Sequence, residues 1–168
     1  MPALGLGSCY VIAAMKGRKG RCKNMADIRH SISIDAPRER VFPLIASGSG
    51  FRRWWTVDVI EDYSTGIIEA AFFNRSTVYR LKPIHSSALW TTEWMCQTGQ
   101  EWTDTRLSFE LIETSGETQL RFTHAGWKAE TNCFFACTKV WEELMVRLKA
   151  AAEGEGLGPR FSKDGSAS

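Results

Sequence analysis

The sequence has no run near the roughly 18 consecutive apolar residues that a membrane-spanning helix requires, so membrane insertion is not expected. It has no CxxC pair. The five cysteines, Cys9, Cys22, Cys96, Cys133 and Cys137, are odd in number and lack the spacing of a disulfide framework, which suits reduced thiols in a cytoplasmic protein. It has almost no net charge: 21 basic against 19 acidic residues leave +2, too weak a field to argue for a nucleic-acid partner. It also lacks the charge order of a secretory signal, because the apolar stretch in residues 1–24 precedes the basic one. That segment reads as a disordered or non-native extension, with Met25 as an alternative start.

Aromatic residues are abundant. Seven Trp and nine Phe in 168 residues imply an unusually aromatic core or an aromatic pocket, since each such side chain buries roughly 150–250 Å². The length suits one domain, placed at residues 25–157, with 158–168 read as a flexible tail.

Ile28, His30, Ile32 and Ile34 alternate with polar residues and predict a half-buried first strand. Asp35-Ala36-Pro37 then offers a helix start, with Asp35 or Ala36 as cap and Pro37 in the first turn. Val41, Phe42, Leu44 and Ile45 give the short helix that follows an apolar face. Gly48-Ser49-Gly50 separates it from one or two helical turns at Phe51–Trp55. Six strands are predicted near 57–62, 66–73, 77–84, 88–96, 104–113 and 118–126, parted by turn-like clusters.

After Trp127 the period changes. Phe134, Cys137, Thr138, Trp141, Leu144, Met145 and Leu148 form one apolar stripe, so a long amphipathic helix is expected from about Thr131 to Glu153. Thr131 or Asn132 is its cap, Gly154 its terminator, and Glu143 and Arg147 an i,i+4 pair on its polar face. Seven strands must be covered by this helix and the small pair, which forces the helix across the sheet.

These residues carry a family likeness. Trp102–Leu111, Gly116–Trp127 and Trp141–Leu148, preceded by Ile32–Pro37, Val41-Phe42 and Trp54-Trp55, closely resemble the branch of the SRPBCC (START-like) superfamily named for activators of heat-shock-protein ATPase. The likeness spans about residues 28–157. It implies an α+β helix-grip fold, in which a curved seven-stranded antiparallel sheet wraps a long C-terminal helix and two short helices lie between strands 1 and 2. It also implies a cavity between sheet and helix, which in relatives of the wider superfamily holds lipids, sterols or plant hormones, or cyclises polyketides.

Strand alternation assigns the inward faces. Leu120, Phe122 and His124 share one face, as do Leu107, Phe109 and Leu111, Trp90, Thr92 and Trp94, and Tyr79 and Leu81. With Trp55, Phe134, Trp141 and Met145 they surround one volume. Such a volume is either an aromatic-walled ligand site oriented by Tyr79, Thr92 and His124, or a filled core. His124 is the candidate acid–base residue, with Tyr79 the other catalytic candidate, while Glu93 should point outward and Glu101 could assist. No nucleophile and base pair is recognisable. Cys133 and Cys137 share a helix face, but zinc asks for about four ligands, so neither a metal nor a cofactor is expected. Arg52, Arg53, Trp54 and Trp55 could greet an anionic head group or combine a solvated face with two core rings.

The function expected from these residues is binding of a hydrophobic small molecule by a monomer or homodimer. Whether it is an enzyme is left open: a cyclase, aromatase or hydrolase using the same cavity is the alternative. A chaperone partner is suggested by the family's name alone, and about 27 residues before the first strand are too few for an added domain.

Overall fold

A computed structural model of the chain describes residues 25–167. Strand β1 (Ala26–Ile34) is followed by helix α1 (Arg38–Ala46) and the single turn α2 (Gly48–Phe51). A continuous meander then runs through β2 (Asp58–Asp62), β3 (Ile67–Phe72), β4 (Thr77–Ser87), β5 (Thr91–Cys96), β6 (Arg106–Thr114) and β7 (Glu117–Trp127). Helix α3 (Asn132–Glu153) closes the regular structure. All neighbouring strands pair antiparallel in the order β1-β7-β6-β5-β4-β3-β2. β1 and β2 therefore lie at opposite edges of the sheet, and α1 and α2 must carry the chain from one to the other. The fold is the expected helix-grip α+β arrangement.

Register places the inward residues side by side. Phe109 opposes Phe122, Leu111 opposes Leu120, and Leu107 opposes His124 across β6 and β7. Thr92 and Trp94 oppose Phe109 and Leu107 across β5 and β6. All of these are buried, and the residues between them are more exposed, as a sheet with one covered face requires.

The start of α1 differs in detail from expectation. Pro37 is the cap residue, in extended conformation, so its missing N–H falls where no intrahelical bond is needed. Gly48-Ser49-Gly50 is not a separator but the helical turn itself. Gly50 is required there, because a Cβ at this position would stand 2.1 Å from the Pro43 carbonyl oxygen and 2.6 Å from Leu44 Cα.

Thr131 caps α3 by accepting from Phe134 N–H at 3.2 Å, and Gly154 ends it in the left-handed region at φ 87°. The far end of α3 is tied to β1, where Lys149 Nζ donates to the Ser33 carbonyl at 2.7 Å and Asp35 N–H donates to Glu153 Oε1 at 2.6 Å. The closest strand to the α3 backbone is β1.

The residues after α3, read from sequence as a tail, form a strap that returns along the helix. Arg147 Nη1 donates to the carbonyls of Leu157, Gly158 and Pro159, and Arg160 pairs with Glu143. Glu143 and Arg147, expected to pair with each other, thus hold the strap. Phe161 then inserts between α3 and the β2–β3 side, 1% exposed, with its ring 5.2 Å from Phe72.

Candidate functional site

Between α3 and the sheet the aromatic residues form one connected stack. Tyr79 and Trp102 lie face to face with ring centroids 4.0 Å apart. Trp102 reaches Trp141 at 5.9 Å and Trp55 at 6.2 Å, while Trp141 reaches Trp55 at 5.2 Å and Phe122 at 4.3 Å. Phe109 joins through Phe122 at 5.0 Å, and Phe134 through Trp127 at 5.4 Å. Leu81, Thr92, Trp94, Leu107 and Met145 are buried in the same core. Contacts of this kind fill space as protein interiors do.

Trp90 is the exception among the inward residues expected from the sequence. Residues 88–90 form a turn, with Leu89 in the left-handed region at φ 68°, so β5 starts one residue after Trp90 and alternation does not reach it. Its ring is 52% exposed and carries the Arg38 guanidinium 4.0 Å above its centroid.

His124 is fully buried. Trp141 Nε1–H donates to its Nδ1 at 3.1 Å, so in the neutral ring the proton sits on Nε2. Nε2–H then donates to Thr105 Oγ1 at 2.8 Å, and that hydroxyl donates to the Trp102 carbonyl at 2.6 Å. Trp102 and Trp127 flank the imidazole at 4.5 and 4.8 Å. Burial in this indole box pushes its pKa down to about 3, so the ring is neutral across the physiological range. Both nitrogens are committed, and the second catalytic candidate, Tyr79, has its ring against Trp102 and beneath Gly99. Of the possible helpers, Glu101 accepts from the Thr131 hydroxyl, and Glu93 lies on the opposite strand face from Thr92 and Trp94.

Three indole N–H groups in the stack have no conventional acceptor: Trp55, Trp102 and Trp127, whose residues are 1%, 2% and 1% exposed. Trp54 and Trp94 instead donate to the Leu44 and Ile45 carbonyls at 2.8 and 3.2 Å. Trp54 and Trp55 are core rings rather than a rim. Arg52 and Arg53 beside them are spent on the carbonyls of Val59 and Ala151.

Burial pushes the Cys96 and Cys137 thiols up to about 12, countered in part by Thr105 at Cys96 and by the Trp102 indole at Cys137, whose sulfur is at best a weak acceptor. Cys133, expected as a reduced thiol, is disulfide-bonded. Among the described residues no group of three or more His, Cys, Asp or Glu could hold a metal, and no helix is long and apolar enough to cross a membrane. A concavity of about 400 Å³ on the outer sheet face, lined by Arg29, His30, Ser31, Ser108, Glu110, Arg121, Phe122 and Thr123, is open and carries charged side chains, unlike the aromatic interior.

Sequence reasoning missed Phe72, Trp102, Thr105, Trp127 and Phe161 as parts of this region. Trp102 and Thr105 stand in the polar stretch 97–105, where no period reveals a buried side. Trp127 continues the alternation only after an irregular step at Gly126, which has φ 88°.

The family model described as "Activator of Hsp90 ATPase homolog 1-like protein" matches residues 70–153, half of the chain. A protein from Colwellia psychrerythraea, solved in solution as the Aha1 dimer, is 26% identical with a TM-score of 0.67, the match covering 77% of this chain and 97% of that one. Proteins from Mesorhizobium loti (12% identity, TM-score 0.67, coverage 77% and 98%) and Staphylococcus saprophyticus (16%, 0.63, 79% and 96%) share the fold. No curated protein matches the sequence.

Proposed function

The chain belongs to the Activator of Hsp90 ATPase homolog 1-like family, and from that footing we propose that it binds an apolar, aromatic small molecule between the sheet and α3. The observation that supports this reading is the pair of buried indole N–H groups on Trp55 and Trp127 without an acceptor, with that of Trp102 resting only on the weakly accepting Cys137 sulfur. An unpaired buried donor costs about 1–3 kcal/mol, and a guest bearing carbonyl or ether oxygens would relieve it. The surrounding rings make the same guest aromatic. They touch one another, so the guest enters by parting them.

The environment of His124 favours binding over turnover. A proton carrier needs a free nitrogen and a pKa near the working pH, and this imidazole has neither. The Colwellia psychrerythraea relative is a dimer, and we take a homodimer as the assembly to test first.

Native mass spectrometry of the full chain, before and after denaturation, tests retention of a ligand directly. Titration with an aryl ketone fluorophore of the acyl-aminonaphthalene type adds an affinity. The ketone should bind, and Trp102→Phe, which removes one donor and keeps a ring, should weaken it about tenfold, the equivalent of one hydrogen bond. A protein that carries no extra mass and does not bind the ketone is not a binding module of this kind.

A further inference from the structure

The strap follows α3, and the family match stops at residue 153, where α3 ends. Phe161 is its anchor. Its ring meets Phe72 edge-on, and Phe72 in turn meets Trp55 at 6.1 Å and Tyr79 at 5.8 Å, so the ring occupies the outermost position of the interior stack. Its backbone is held in a single parallel β-bridge to Thr56: Phe161 N–H donates to the Trp55 carbonyl at 3.0 Å, and Val57 N–H donates to the Phe161 carbonyl at 3.1 Å.

We propose that the socket filled by Phe161 is an aryl-carbonyl binding subsite of the interior site, and that the strap is its displaceable internal occupant. The inference rests on the binding function proposed above. The present occupant defines the chemistry of its replacement. A phenyl ring fits the aromatic walls, and the carbonyl that accepts from Val57 N–H lies three bonds from that ring, so a 3-arylpropanoyl ketone or amide reproduces both contacts. The guest and Phe161 cannot be present together.

The strap is built to release. Phe161 is its one deeply buried side chain, while residues 155–157 and 163–164 are exposed. Besides Phe161, its ties to the body are Arg160 N–H to the Trp54 carbonyl at 3.1 Å, Asn74 N–H to the Lys163 carbonyl at 2.7 Å, the Arg147 guanidinium on the carbonyls of Leu157, Gly158 and Pro159, and the Arg160–Glu143 pair, the last two made by solvent-reachable side chains. These contacts must offset the entropy of ordering residues 155–167, where Gly156 and Gly158 have open space around them. At the far end Gly165, at φ 84°, lies under the Phe73 ring, and a Cβ there would stand 2.2 Å from Phe73 Cδ1. Phe73 itself is left-handed at φ 53°, so the latch closes on a hairpin tip that already carries strain.

The test uses the full chain with 4-phenylbutan-2-one, a ketone whose carbonyl stands three bonds from its phenyl ring, its affinity read by calorimetry. Gly165→Val unseats the latch while leaving every wall of the socket intact, and Phe161→Ala removes the occupant. If the strap blocks the subsite nine-tenths of the time, each variant should bind about tenfold more tightly than the parent. In the parent, saturating ketone should also speed hydrogen exchange at the amides of Arg160, Phe161 and Val57. That measurement needs no variant and decides the matter if either substitution fails to fold. Equal affinities in parent and variants, with unchanged exchange at those amides, overturn the strap as occupant and leave the interior site standing. Failure of all three proteins to bind overturns both.

Discussion

Trp141 Nε1 donates to His124 Nδ1 at 3.1 Å, and this bond, made between α3 and β7, fixes the protonation of the imidazole. With Nδ1 accepting, the proton lies on Nε2 and points at Thr105 Oγ1. Nitrogen-detected NMR should show the Nε2–H tautomer for His124, with no titration between pH 7.5 and about 5. An imidazole that titrates near 6.5 would place the ring in water.

The same burial makes stability depend on pH. His124 has its pKa lowered from 6.5 to about 3 in the fold. Between those values the unfolded chain binds a proton that the native state refuses. Stability is therefore full above pH 6.5 and falls as acid is added, by up to about 1.4 kcal/mol per pH unit. Asp62 and Asp164, lowered to about 2 by the hydroxyls of Ser64 and Ser162, lose their contribution only below about pH 4. Urea unfolding at pH 7.5, 6.5 and 5.5 should show a decline from pH 6.5 to 5.5, above the range in which Glu153, held below its usual 4.5 by the Lys149 ammonium, and the aspartates lose their contributions.

Trp141→Phe keeps a ring in the stack but removes the donor and leaves His124 Nδ1 buried without it. A loss of about 2–4 kcal/mol is expected from the orphaned acceptor and the lost volume. Denaturant unfolding measures it, and a change below about 0.5 kcal/mol would mean the bond contributes little.

Gly50→Ala should be among the most damaging single-methyl changes, because the new atom meets the main chain of Pro43 and Leu44 rather than a movable side chain. The helical pair α1 and α2 must separate to admit it. A cost above about 3 kcal/mol, or loss of soluble folded protein, is expected. A near-native melting temperature would refute the contact.

Trp90→Ala tests the position that alternation misassigned. The ring lies outside on Arg38, an exposed cation–π contact worth about 0.5–1 kcal/mol. Stability should fall by no more than that, and affinity for the aryl ketone should not change. A lost affinity would bring Trp90 back into the site.

The strands, their faces and the long helix were legible because burial of one side repeats along the chain, every second residue in β5, β6 and β7 and every third or fourth in α3. The family likeness supplied the grip of sheet on helix. Local pattern had no purchase on three features. Trp90 turns outward because a left-handed Leu89 ends the turn one residue later than the alternation implies. Trp102 lies in a polar loop, yet stacks on Tyr79, 23 positions earlier.

Phe161 reads as an isolated apolar residue in a glycine-rich end, yet bonds to Trp55 and packs on Phe72. Periodicity reports which side of an element is apolar, and that much the amino-acid sequence determined by itself. Which ring meets which, whether an imidazole keeps a free nitrogen, and which segment fills the gap beyond α3 depend on residues brought together from far apart in the chain. Only the tertiary structure decided those.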